Sequence, residues 1–200
     1  MARFFVLVTA LALCAGSVDA QQRRADPAAP GKGQAKEAAP APTTLESLHE
    51  RLARARDAEE ASAISKQIER RWMRSGSDTA DLLMSRAQQV MTVKDADTAL
   101  ELFDHIVLIR PKWAEAYHKR ALLLFQMNDL DGAMRDIRQA LAIEPRHYGA
   151  IAGLGMIYQK MDNQKAAIAA FTKALEINPF IENLKDYVEK MRPEVEGRKA

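Results

Sequence analysis

A spacing of 34 residues constrains this chain more than any single position does. Counting from Ala80, Ala114 and Tyr148, three consecutive segments align. Small residues coincide at the eighth step (Ala87, Ala121, Gly155) and at the twentieth (Ala99, Ala133, Ala167). Bulky residues coincide at the twenty-fourth (Phe103, Ile137, Phe171), and prolines at the thirty-second (Pro111, Pro145, Pro179). A fixed period of this length is produced by stacked helix–turn–helix units. Each unit buries its apolar face on its neighbours, and the stack presents a long concave surface. The pattern therefore predicts an all-α solenoid of antiparallel helix pairs that holds a partner.

The middle unit is the clearest. Pro111 biases the residue before it away from helix. From Ala114 to Met127 the chain is rich in helix formers, and Tyr117, Ala121 and Leu124 fall on one stripe. Asn128–Asp131 breaks the pattern, and Asp129 and Asp131 can accept hydrogen bonds from free amides of the next helix. A second stripe follows: Ala133, Met134, Ile137, Ala140 and Leu141. The small residues have a packing reason. Two antiparallel helices approach closely only where one side chain leaves room for a bulky one opposite, as Gly155 would for Phe171.

These residues and spacings resemble the tetratricopeptide repeat family over Ala80–Ile181, about half of the chain. The resemblance implies a right-handed superhelix with units at 80–113, 114–147 and 148–181. It departs from the family at the fourth step, where Leu83, Tyr117 and Ile151 stand in place of Trp. Arg86 and Arg120 occupy the seventh step, usually Leu, and are expected to lie along a neighbouring helix with buried stems. The resemblance also implies that the first helix of each unit lines the groove. Met84, Gln88 and Met91 would come from the first unit, and Glu115, His118, Leu122, Phe125 and Gln126 from the second. Ala152, Met156, Gln159 and Lys160 would come from the third. Methionine is flexible and polarizable, so such a lining adapts to varied apolar side chains. One family subclass clamps a chaperone C-terminal carboxylate with Lys, Asn and Arg. The matching positions here hold Met84, Gln88, Lys119, Gly149 and Gly153, so that clamp is missing.

Upstream, residues 45–79 read as a divergent helix pair. Leu45, Leu48, Leu52 and Ala55 form one stripe, and Ala61, Ile64, Ile68 and Trp72 the other. This pair is expected to cap the first unit. Downstream, Leu184, Tyr187, Val188 and Met191 fall at helical spacing and predict a capping helix over 182–191, stopped before Pro193. Folding of that helix back over Leu122, Phe125 and Met156 is the alternative to an open groove.

The ends differ in character. Arg3, an apolar run of about a dozen residues and Val18-Asp19-Ala20 read as a signal peptide over 1–20, cleaved after Ala20. The run is too short to span a bilayer comfortably. An uncleaved segment would instead leave the protein anchored to the inner membrane. Cys14 is the only cysteine, so cleavage would leave no thiol. Leu13 stands where lipidation of Cys14 would call for Gly or Ala. Residues 21–44 (Pro27, Pro30, Pro40, Pro42) form a linker without apolar periodicity, and 192–200 a charged tail, both expected to be disordered.

The chain is therefore expected to be exported, in a bacterial periplasm, and to bind a protein or peptide. Self-association through the groove or end helices is the structural alternative. A formal net charge of +2 argues against a dedicated nucleic-acid binder. His49, His105, His118 and His147 lack ligand-like spacing, so no metal is expected. Asp95, Asp97, Asp129, Asp131 and Asp162 recur near turns without the glycine and glutamate of a calcium loop, and read as helix caps. Arg70, Arg71 and Arg74 read as a solvated helix face. No catalytic residue and no cofactor is expected.

Overall fold

The computed structural model describes residues 44–92 and 95–197. The signal segment, almost all of the linker and the last three residues lie outside that range. Among the described residues there are nine α-helices and no strand. They are α1 (Leu45–Ala53), α2 (Ala58–Trp72), α3 (Asp78–Thr92), α4 (Ala96–Ile109), α5 (Ala114–Gln126), α6 (Leu130–Ile143), α7 (Tyr148–Lys160), α8 (Gln164–Ile177) and α9 (Leu184–Glu196).

Local chemistry sets the helix boundaries. Asp95, Asp129 and Asn163 cap α4, α6 and α8, each side chain accepting from the amide three residues on. These bonds satisfy donors that the first helical turn leaves free. Asn128 and Asp162, one period apart, adopt left-handed backbone at φ 64° and 58° and turn the chain between α5 and α6 and between α7 and α8. Asn and Asp tolerate that region better than most residues. Each pair then ends beside its proline.

Pairs α3–α4, α5–α6 and α7–α8 stack in sequence order, joined through α4 against α5 and α6 against α7. Their cores are the aligned residues. Ala87, Ala99 and Phe103 pack in the first pair, Ala121, Ala133 and Ile137 in the second, and Ala167, Ile168 and Phe171 in the third. A Cβ built on Gly155 would overlap the Cδ1–Cε1 edge of the Phe171 ring. The small residue thus sets how closely α7 approaches α8, as its spacing predicts.

Arg120 is more than a buried stem. Its Nε and Nη2 donate to both carboxylate oxygens of Asp136, at 2.6 and 2.7 Å, and Nη1 donates to Asp104 at 2.8 Å. One guanidinium on α5 therefore ties α4 to α6, with the fork geometry that suits arginine to carboxylates. Arg86, one period earlier, is exposed.

Two end elements differ from expectation. The C-terminal helix α9 packs on α8, with Tyr187 edge-on to Phe171 at 5.5 Å and Val188 buried, but it runs through Pro193 to Glu196. Pro193 keeps a helix-compatible φ but lacks the donor to the carbonyl of Glu189 and crowds it, so the helix carries this cost in its last turn. The α1–α2 hairpin departs further. Its apolar stripe does not stack on α3. Leu48, Leu52, Ile64, Ile68 and Trp72 cluster with Tyr148, Ile177 and Ile181, at the start of α7 and the end of α8.

Candidate functional site

The residues at the start of α5 and α7 decide what the groove looks like. Trp113 and His147 are one period apart and stand at the N-caps of these helices. Trp113 makes no capping bond, but its indole N–H donates to the Trp72 carbonyl at 2.6 Å. His147 caps α7 with its ring, Nδ1 accepting from the Ala150 amide at 3.1 Å. The Trp72 indole lies on that ring, with centroids 4.0 Å apart. The end of α2 is thus held by both N-caps, and α2 runs across the N-terminal ends of α5 and α7. Further polar ties fix it. Tyr148 donates to Glu69 at 3.0 Å, the Asn178 amide to Ser65 Oγ at 3.3 Å, and Arg146 to Glu46 on α1 at 2.8 Å.

Beneath this seam lies a charged cluster. Glu115 Oε2 accepts from His147 Nε2 at 2.7 Å and from His118 Nδ1 at 3.3 Å, while Oε1 pairs with Lys119 at 3.2 Å. Glu115, His118 and His147 are all buried. Burial alone would raise the Glu115 pKa, but the hydrogen bonds from His118 and His147 outweigh it and hold the carboxylate ionised far below its usual range. Burial pushes His118 down, towards the neutral ring, against the hydrogen bond it donates to Glu115.

The fold brings Glu115, His118 and His147 together although they are not contiguous in sequence, with potential ligand atoms within 4.8 Å of one another. Their hydrogen bonds do not fit a metal. His147 Nδ1 accepts an amide proton, so its own proton sits on Nε2 and is donated to Glu115. A metal at Nε2 would require moving that proton and breaking the cap, next to the Lys119 ammonium. The cluster instead balances a buried carboxylate with donors.

The groove residues expected from sequence divide into two sets. Met84 belongs to the core of the first pair, and Glu115 and His118 are buried at the hairpin seam. None of these three presents open surface. Ala152 lines a cleft of about 310 Å³ between α2 and α7, facing Ala61, Ser62 and Ser65, with Phe180 and Ile181 at its end. Leu122 and Phe125 are half-buried and Met156 is 41% exposed; the three sit together across the contact of α5 with α7. Gln126, Gln159 and Lys160 are exposed, and Gln159 donates to Tyr187 at 2.8 Å. Gln88 and Met91 are half-buried on α3, with Met91 beside Gln126 and Met127 in a second cleft of about 360 Å³. The N-terminal hairpin lies against the groove at Ala152, while α9 reaches it at Gln159. The 34-residue register gave one hint of this, since Trp113 and His147 occupy the same step. Nothing in the register points to Trp72 as their partner.

Known proteins resemble this chain in the same terms. Residues 114–147 and 150–180 each match the tetratricopeptide repeat. A TPR repeat-containing protein of Rhizobium etli is 33% identical over 156 residues, covering 78% of this chain and 76% of its own length. Among solved structures, the Sgt2 TPR domain from Aspergillus fumigatus superposes with a TM-score of 0.56 at 23% identity, covering 60% of this chain and 81% of that one. The first TPR of Spaghetti, bound to the HSP90 peptide SRMEEVD, gives 0.55 at 16% identity, covering 59% and 94%. The MamA RS-1 double mutant gives 0.54 at 19% identity, covering 78% and 85%. The aligned periods, the stacked helix pairs and the Rhizobium relative together show that this chain belongs to the tetratricopeptide repeat family.

Proposed function

We propose that the protein is a non-enzymatic adaptor, exported to the cell envelope, that holds a peptide or helix of a partner protein in its concave groove. The observation that carries this is the apolar strip of Leu122, Phe125 and Met156 on α5 and α7, left partly open beside Gln126, Gln159 and Lys160. An apolar strip with a polar rim suits an amphipathic guest, whose apolar side chains insert while amides and Lys160 fix its register. The HSP90 peptide bound by the Spaghetti domain is a precedent for peptide capture by this fold. The guest here is of another kind, because Met84, Gln88, Lys119, Gly149 and Gly153 replace the carboxylate clamp. Export rests on residues 1–20, and an uncleaved segment would tether the same groove to the membrane. Cell fractionation with and without those residues separates the two.

Crosslinked capture with the full chain, followed by mass spectrometry, tests the groove. A genuine guest is recovered with the native protein and lost with Phe125→Asp combined with Met156→Asp, while the far-UV circular dichroism is unchanged. Equal recovery from both would sink the reading.

Self-association is a second reading, favoured by Leu82. This residue is 71% exposed on α3, whereas its repeat equivalents Ala116 and Ala150 are fully buried. The face that later units cover with a preceding helix is open here, because the hairpin lies elsewhere. Light scattering across a concentration series should show an oligomer that Leu82→Glu dissolves; a monomer at all concentrations excludes it.

A further inference from the structure

We infer that the α1–α2 hairpin is an acid-released plug: it undocks as a unit from the starts of α5 and α7, with His49 as the trigger, while the repeat stack stays folded. Three observations carry this.

The hairpin is separable. Its stripe forms a cluster of its own with Tyr148, Ile177 and Ile181, whereas the buried cores of the three repeat pairs contain no residue of α1 or α2. Elements with an independent apolar cluster can open below the free energy of global unfolding. A short connector at 73–77 joins the hairpin to α3, with Gly76 at φ +73°, a conformation that favours glycine.

The seam holds an unpartnered titratable group. His49 is 4% exposed, and neither ring nitrogen has a hydrogen-bond partner among the described residues. Its ring lies 5.7 Å from that of Trp72, the residue stacked on His147. Around it stand Arg146, Glu144 and His147 from the turn between α6 and α7, and Glu46 from α1 itself. Arg146 is already paired with Glu46.

Protonation and docking oppose each other. Burial pushes the His49 pKa below its ordinary value, and Arg146 and His147 add to this; Glu144 and Glu46 pull the other way more weakly in sum. The docked hairpin therefore keeps His49 neutral, whereas a solvated His49 takes up a proton near pH 6.5. Acid thus favours the undocked form. Undocking would open the face of α7 at Gly149 and Ala152 and expose His147 above Glu115, extending the groove towards the positions that the family resemblance assigns to it. That consequence rests on the groove reading above; the undocking does not.

Hydrogen exchange of the full chain at pH 7.5 and pH 5.5, corrected for the intrinsic effect of pH, tests the device without any partner. Protection in α1 and α2 is expected to fall by up to about tenfold, the limit for a ring that protonates at its ordinary pKa when solvated and stays neutral when docked, while α5–α8 keep theirs. His49→Leu should hold α1 and α2 equally protected at both pH values, and His49→Phe should do the same while retaining a ring against Trp72. The only two tryptophans, Trp72 and Trp113, both sit at this seam, so their emission should shift to the red on acidification in the native chain alone. Protection that is unchanged with pH, a uniform loss across all helices, or the same loss in both variants would overturn the proposal. A guest captured only at neutral pH would count against the extended groove and leave the undocking result standing.

Discussion

The indole of Trp72 lies nearly flat on the imidazole of His147, with centroids 4.0 Å apart and planes 13° from parallel. Through this contact the last residue of α2 rests on the N-cap of α7. Replacing Trp72 with Ala should cost about 3–5 kcal/mol of docking free energy, the usual range for a buried aromatic truncated to Ala. Limited proteolysis should then cut at 73–77, releasing a fragment that keeps the helices of the repeat stack. Trp72→Phe, which keeps a ring in the stack, should resist cleavage far better.

Arg120 forks onto Asp136, and the Asp136 side chain is only 7% exposed. Arg120→Met should therefore leave a nearly buried carboxylate without its counter-charge, destabilising the fold by about 3–5 kcal/mol. Urea denaturation followed by circular dichroism measures this directly. Combining Arg120→Met with Asp136→Leu should recover much of the loss, because an apolar pair leaves no charge unpaired.

Gly155 faces Phe171 too closely to admit a side chain. Gly155→Leu should overpack α7 against α8 and cost about 1–3 kcal/mol. For a chain of this size that is a drop of roughly 2–4 °C in Tm for each kcal/mol. A double-mutant cycle with Phe171→Leu should show a coupling of opposite sign to the single losses, since the smaller ring position makes room.

The titratable groups at the seam predict how stability depends on pH. His49 and His118 both have folded pKa values below the ordinary 6.5, so the unfolded chain takes up their protons first. Their contribution is complete above pH 6.5 and declines as pH falls through it. Glu115 has a folded pKa below the ordinary 4.5, so its contribution is lost only as pH falls below that value. The urea midpoint should therefore decline in two stages on acidification. Glu115→Gln should lower the midpoint at pH 7.5 and flatten the second stage.

Much of the repeat body is legible in the sequence because its determinants are local or periodic. The alignment of Ala87, Ala121 and Gly155 with Phe103, Ile137 and Phe171 encodes which helices pair, and Asp95, Asp129 and Asn163 mark where second helices begin. The stop expected before Pro193 is not where the helix ends, since α9 continues through it to Glu196. The groove residues were only half legible. Leu122, Phe125 and Met156 keep exposure, whereas Glu115 and His118 are buried against His147, on which Trp72 from outside the period stacks.

The repeat helices, their pairing and the order of the stack follow from local and periodic features of the chain. A 34-residue register fixes which side chains meet within a unit and between adjacent units. The place of the α1–α2 hairpin, and with it the meeting of Trp72, His49 and His147, is visible in the packed fold alone. The physical reason is that an amphipathic stripe specifies that it must be buried, but not against what. Leu48, Ile64, Ile68 and Trp72 could have covered the open end at Leu82; packing against Tyr148 and Ile177, with both N-caps holding Trp72, satisfied them instead.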